Sequence, residues 1–462
     1  MKTGIEYRES LRDGRETFFE GEQVADLEQV PALAAAVDQV AEGYDKYYSA
    51  DPEANNPLIE APRTPEAMRD RIPLLHEADL LLSVTYQSLM TLLTAAPKLE
   101  SAAPDCYERI QSYVEQAIRD DIRITECITD AKGDRSLPPS KQPDPDAYVH
   151  VVRRTSDGLV LRGAKLHISG ASFGHDLMVM PTKNMKSGEE DYAVTCAVAV
   201  NSPGVRIVNV TYHPRTEDVR HFPVSSKHSM PDGFVILDDV FVPYERVFLD
   251  GQGQFAAVFA HCLGLWERLG GMSGMVRQAD EMVGLATLVA ESNGLLGVSH
   301  IREKIDEMVI HATMLRAGLE AALTHAHTTP EGYCFPDELF TNAAKYTGAA
   351  NFNLMVRHLH DIAGGSVITM PSVGDLENDK VGALLRKYIS TGPGVDAEYR
   401  MRLFHAIRDL TADSYGGWHL VTSIQAGGGL YAQRLVTRKH YDFDRARALA
   451  AAAAGVGSPG QI

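Results

Sequence analysis

Thr129-Asp130-Ala131-Lys132-Gly133-Asp134-Arg135, a Pro-rich loop, and then Leu159-Val160-Leu161-Arg162-Gly163-Ala164-Lys165-Leu166-His167-Ile168-Ser169 form the stretch on which the fold turns. Before it, apolar residues recur at spacings of three and four, as in Pro31 to Tyr47 and Thr64 to Ala96, with Pro and Gly punctuating the runs. Within it the period falls to two. Tyr148-Val149-His150-Val151-Val152, Leu159-Val160-Leu161, Leu177-Met178-Val179-Met180, Tyr192 to Val200, Val205 to Val210 and Phe234-Val235-Ile236-Leu237 read as short strands bounded by Gly, Pro, Asn and Asp. Beyond Phe255 the helical period returns, clearest at Ile301, Ile305, Met308, Ala312, Leu315, Leu319 and Ala322. Helices are expected near 255–293, 298–327, 337–363, 395–424 and 432–454, enough for a bundle. The fold class expected is mainly α with a central antiparallel β domain. Its parts are an N-terminal helical domain over 1–145, a middle β-barrel or sandwich over 146–254 and a C-terminal helix bundle over 255–462.

The loop carries chemistry of its own. Gly133, between Lys132 and Arg135, frees the backbone to approach an anionic group, which Arg135 can meet bidentately and Lys132 as a point charge. The strand that follows ends in Ser169 and Gly170, a hydroxyl and a backbone N–H for the polar edge of a ligand. The same Lys-Gly-Asp-Arg run also reads as a solvated surface turn.

Bulk properties narrow the partners. The chain has 462 residues, 44% of them hydrophobic, and a formal charge of −18, which argues against nucleic acid or an anionic membrane as partner. An anionic ligand then needs a local basic pocket. The start Met1-Lys2-Thr3-Gly4-Ile5-Glu6-Tyr7 has no apolar core, and no stretch is expected to reach the roughly 20 apolar residues of a membrane span, so the expected location is cytoplasmic. Cys106, Cys127, Cys196, Cys262 and Cys334 are scattered without Cys-x-x-Cys spacing, which points away from disulfides and structural zinc. His325 with His327, and His358 with His360, lie two apart on expected helices and face different ways, so no metal site is expected from them. No Gly-rich run opens a helix after a strand, so a nicotinamide cofactor is not indicated.

The order of several motifs resembles a known family. Tyr7-Arg8-Glu9-Ser10-Leu11-Arg12-Asp13-Gly14-Arg15-Glu16, Phe19-Glu20-Gly21-Glu22, the Thr129 to Arg135 run with Asp144-Pro145-Asp146, and Arg162-Gly163-Ala164-Lys165 are similar to the 4-hydroxyphenylacetate 3-monooxygenase and 4-hydroxybutyryl-CoA dehydratase superfamily. So are Val235 to Pro243, Asp361-Ile362-Ala363-Gly364-Gly365 with Met370-Pro371-Ser372, and Ala426-Gly427-Gly428-Gly429 with Ala432-Gln433-Arg434, and the resemblance spans the whole chain. It implies an acyl-CoA dehydrogenase-like fold, FAD between the β domain and the bundle, and a homotetramer or homodimer. The cofactor-binding positions it implies are Thr129, Lys132, Gly133, Asp134, Arg135, His167, Ser169, Val421, Thr422, Ser423 and Ile424. Two readings stay open for some of them: His167 meets the flavin or only pairs across strands, and Thr422 and Ser423 contact flavin or bond back to their own helix. The Gly364-Gly365 and Gly427 to Gly429 runs read as helix caps or as places of close backbone approach.

The superfamily has two chemistries. One branch takes reduced FAD (FADH2) from a separate reductase and uses O2 to hydroxylate a phenol; the other keeps FAD with a 4Fe–4S cluster held by three Cys and one His, and dehydrates 4-hydroxybutyryl-CoA. Here the first two Cys positions fall within Thr85 to Thr94 and the others near Glu267 and Gly274, so cluster ligands are expected to be lacking. The Arg and Tyr that hold the phenol fall near Ala95 and Leu99, and the catalytic His falls at Glu126. The flavin site reads as kept and the substrate site as rewritten. Glu126 is the candidate general base, against the alternative that it ends a helix and pairs with Arg123 or faces water; Arg135 is the second catalytic candidate. The expected function is a two-component FAD-dependent monooxygenase acting with O2 on a small aromatic or amine substrate. A cluster-free flavoenzyme acting on an acyl-CoA thioester is the alternative.

Overall fold

Helix starts follow the capping side chains. The computed structural model describes residues 1–212, 218–228, 230–392 and 394–457. Thr3 and Glu6 form a capping box at α1 (Gly4–Ser10), and Pro opens α2 (Pro31–Tyr47), α3 (Pro65–Glu77) and α5 (Pro104–Arg119), where a missing N–H costs nothing. The run expected from Thr64 to Ala96 divides at Asp79, whose carboxylate accepts from Leu82 N–H at 2.8 Å and starts a separate α4 (Leu80–Ala95). This region is not purely helical. Two strands, β1 (Glu16–Phe19) and β2 (Glu22–Val24), too short to show a period, form a hairpin that joins the central sheet.

A third strand from the same region matters most. β3 (Ile124–Cys127) precedes β4 (His150–Arg154), β5 (Gly158–Ser169), β6 (Asp176–Val179), β7 (Val194–Ala199), β8 (Val205–Val210), β9 (Asp232–Pro243) and β10 (Val247–Asp250). They build a six-stranded sheet ordered β2-β1-β8-β9-β5-β4 and a four-stranded sheet ordered β10-β7-β6-β3. The sheets are not wholly antiparallel, because β1 runs parallel to β8 and β3 parallel to β6. Side chains of both sheets, among them Leu159, Leu161, Leu177, Val198, Val235 and Leu237, share one buried apolar core.

After the short α6 (Ser225–His228), the helical part holds α7 (Gly253–Ser292), α8 (Ser299–Thr324) and α9 (Glu338–Ala363). Between α8 and α9, β11 (His327–Thr328) pairs with β12 (Cys334–Phe335), so His327 lies on a strand and His325 on a helix cap. Small helices follow, α10 (Ser366–Thr369), α11 (Val373–Glu377) and α12 (Gly382–Ile389), and then α13 (Ala397–Thr411), α14 (Ser414–Gln425), α15 (Leu430–His440) and α16 (Phe443–Ala454). Two expected single helices split because Asp413 and Asp442 cap new starts at Ser414 and Phe443, accepting from Ser414 N–H and Arg445 N–H. Leu80–Lys98 is, against expectation, long and apolar enough to cross a membrane, but 72% of that window is buried inside the molecule, as a core helix should be. It packs on α7, and the helical core reaches Ile124, Met178 and Ala197 of the four-stranded sheet.

Candidate active site

β3 aims a carboxylate into the helices. Side chains alternate along a strand, so Cys127 enters the β core while Ile124 and Glu126 share the face toward α4. Thr85 on α4 locks that register: its Oγ accepts from Ile124 N–H at 2.9 Å and donates to Leu81 O at 2.7 Å. The expected pairing of Glu126 with Arg123 does not occur. Three residues apart on a strand means opposite faces, and Arg123 is fully buried over the Tyr44 ring at 3.8 Å, with Asp121 at 3.2 Å. Nor does Glu126 end a helix, since α5 stops at Arg119. Glu126 Oε1 is left shut from solvent with no hydrogen-bond partner among the described residues. Burial pushes its pKa well above the usual 4.5, and the charge of Glu267 adds to the shift.

Glu267, on α7, belongs to a second set of buried polar groups. Burial raises its pKa, while Lys345, Arg268 and the Gly427 N–H pull it down. Lys345, on α9, is fully buried and donates to Ser423 O at 2.7 Å; burial lowers its pKa to about 8 against the pull of Glu267. His419 meets Ser423 Oγ at 3.1 Å and Gln278 Nε2 at 3.2 Å, and burial brings it down to about 4, so it is neutral. Gly427 accounts for the glycine run: φ is +73°, a Cβ would sit 2.8 Å from Arg268 Cγ, and its carbonyl accepts from Arg268 Nε at 2.7 Å. The close approach there is to the chain's own α7. Ser423 thus turns inward on α14, while Val421 is exposed and Thr422 and Ile424 are half-buried on other faces.

The Thr129–Arg135 loop is tied to β5. Thr129 O accepts from Leu166 N–H at 2.7 Å, and Asp130 pairs with the buried Lys165 at 2.7 Å. Lys132 and Gly133 both take positive φ, +71° and +50°, and a Cβ on Gly133 would lie 2.3 Å from Gln142 Oε1. Asp134 serves the turn itself, accepting from Ser136 N–H and Oγ–H at 2.9 and 2.7 Å. Burial, Arg135 and Lys183 lower the pKa of Lys132, which places three cations in one neighbourhood. Among the described residues none of the three is in an ion pair, although the chain carries −18. His167 is exposed, at φ +61°, where the β5–β9 register slips, so it pairs with no cross-strand neighbour. Ser169 Oγ–H donates to Asp232 at 2.5 Å and Trp418 Nε1–H to the other Asp232 oxygen at 3.0 Å, which ties the end of β5 to α14.

These donor sets differ in what they fit. A cluster of unpaired cations on a tight turn fits a phosphate-bearing cofactor. The α4–α7 seam beside Glu126 offers Thr85, Ser88, Thr91, Thr94 and Glu267, hydroxyls and a carboxylate that do not fit a 4Fe–4S cluster. The five cysteines are all buried, each on a different element or loop. Ala95 and Leu99 are fully buried and apolar.

The family model of the 4-hydroxyphenylacetate 3-hydroxylase N-terminal region matches residues 3–249 and that of its C-terminal region residues 257–455. The chain belongs to this family. A 4-hydroxybutyryl-CoA dehydratase/vinylacetyl-CoA-Δ-isomerase of Clostridium aminobutyricum is 26% identical, over 99% of this chain and 100% of its own. The oxygenase component of 4-hydroxyphenylacetate 3-monooxygenase of Thermus thermophilus is 27% identical, over 90% and 89%. Among solved structures, an oxygen-tolerant archaeal 4-hydroxybutyryl-CoA dehydratase from N. maritimus has a TM-score of 0.89 at 25% identity, covering 100% and 96%. The oxygenase component of a 4-hydroxyphenylacetate 3-monooxygenase complexed with FAD has a TM-score of 0.85 at 24% identity, covering 98% of each chain.

Within this 4-hydroxyphenylacetate 3-hydroxylase family member, Lys345, His419, Asp232 and Trp418 were not found from sequence. Lys345 left a signal: it interrupts the stripe Thr341, Ala344, Gly348, Phe352 and Met355, all buried, on the inner face of α9. A lysine inside such a stripe must find a buried partner.

Proposed function

We propose that this chain is the oxygenase component of a two-component flavin monooxygenase, which takes reduced FAD from a separate reductase and oxygenates a small aromatic or amine substrate. When bound, reduced FAD activates O2, so that one oxygen atom enters the substrate and the other leaves as water. Lys132 and Arg135, with Lys183 beside them, complement the diphosphate. Glu126, once ionised above its raised pKa, takes the proton from the substrate's O–H or N–H, which makes its ring or nitrogen electron-rich. Glu267 acts on the charge of Glu126, Lys345 acts on Glu267, and the apolar wall of α4 keeps water out.

The observation that carries this reading is the buried, unpartnered Glu126 Oε1 on the helix-facing side of β3. A base with a raised pKa and no internal partner is kept for a ligand. Oxygen consumption by purified protein with reduced FAD, across a panel of phenols and amines, tests it: substrate-dependent uptake with an oxygenated product is expected. The relative from Clostridium favours a second reading, a cluster-free flavoenzyme acting on an acyl-CoA thioester. That reading predicts protein purified yellow with tight oxidised FAD, turning over acyl-CoA without O2, and the first predicts colourless protein that binds reduced FAD.

A further inference from the structure

Three helix segments converge on side chains that the flavin reading leaves unused. His261 lies in the third turn of α7, Glu338 is the first residue of α9, and His440 is the last of α15. Glu338 Oε1 is 2.8 Å from His261 Nε2, and its Oε2 is 2.6 Å from His440 Nε2. All three ligating atoms lie within 4.8 Å of one another.

Two features separate this cluster from an ordinary ion pair. The imidazoles lie nearly parallel, at 19° with centroids 6.2 Å apart, so both present Nε2 to one point. His440 Nε2 is also closed to solvent and has no hydrogen-bond partner among the described residues: close as Glu338 Oε2 is, the contact misses the hydrogen-bond line. Lys98, close enough to act on Glu338, turns its ammonium to Cys262 Sγ at 3.5 Å.

We propose that His261, Glu338 and His440 bind a divalent transition-metal ion of the zinc class. Two imidazole nitrogens and a carboxylate oxygen suit that class, and donors at about 2.0–2.1 Å from a tetrahedral ion stand about 3.3 Å apart, inside the observed envelope. The set uses no thiolate and leaves positions for water. The ion ties the end of α15 to α7 and α9, and so holds the glycine turn that α15 follows against Arg268.

The test uses full-length, tag-free protein stripped with chelator and titrated calorimetrically with Zn²⁺, with the bound metal counted by elemental analysis. One ion per chain is expected. His440→Ala, at a half-exposed helix end, should keep the circular dichroism of the parent and weaken Zn²⁺ binding by more than about 100-fold, since loss of even an outer partner costs about 10–100-fold. His261→Gln should do the same. Less than one ion per chain at saturating Zn²⁺, or parental affinity in both variants, overturns the site.

Discussion

At the scale of single residues, Glu126 decides most. Glu126→Gln keeps its shape but removes the proton acceptor, so turnover should fall about 10²–10⁴-fold with FAD affinity little changed, as steady-state kinetics and a flavin titration will show. The same variant has a signature in stability. Because the folded-state pKa of Glu126 is raised, the folded protein holds a proton that the unfolded chain gives up near 4.5, and stability is lost as pH rises from there through the folded value. Denaturant midpoints between pH 4.5 and 8 should therefore fall less steeply for Glu126→Gln than for the parent. A base that was solvated would leave the two slopes equal. Arg135, exposed and in no ion pair among the described residues, carries the other residue-scale prediction. Arg135→Ala should raise the Kd for reduced FAD about 10–100-fold, the worth of a charged hydrogen bond, and anaerobic calorimetry showing unchanged affinity would remove the loop from the cofactor site.

At the scale of elements, two contacts hold the carboxylates in place. Thr85→Val preserves shape on α4 but leaves Ile124 N–H buried without its 2.9 Å acceptor, which should cost about 1–3 kcal/mol in denaturant unfolding. Turnover should fall as well, because β3 aims Glu126. Gly427→Ala combines a positive φ with a Cβ 2.8 Å from Arg268 Cγ. A loss of about 2–4 kcal/mol is expected from the left-handed strain plus overpacking, and an unchanged thermal midpoint would show that the turn relaxes freely.

At the scale of the whole molecule, apolar side chains stay exposed on strands such as β8 and β9 as well as on the helices. On α9, which carries apolar residues on more than one face, Phe352, Met355 and Leu359 are buried and Leu354 and Val356 half-buried inside the chain. Among the exposed apolar residues, Ile310 and Met314, 63% and 61% accessible, lie one turn apart on α8, and Tyr431 and Leu435, 68% and 50%, one turn apart on α15. Apolar pairs at helical spacing are faces that a second copy of the chain would cover. Light scattering at micromolar concentration is expected to give a dimer or tetramer, and a monomer there would assign these faces to another partner.

The sequence by itself determined the longer helices and most of the central strands, the switch of period at Tyr148, the cationic loop and the family. Each of these depends on spacing or on a run of neighbours, which a chain displays without folding. The resemblance also singled out Glu126 as the candidate base, but the sequence put that residue at a helix end beside Arg123. Four residues between Ile124 and Cys127 are too few to show a period of two, and the strand exists because β6 and Thr85 pair with its backbone. Tertiary structure alone set Glu126 and Glu267 within electrical reach, 141 positions apart in the chain, and brought Lys345 from a third helix to the second of them. The pKa of a buried carboxylate depends on water excluded by distant segments and on charges carried by others, and no local pattern encodes either.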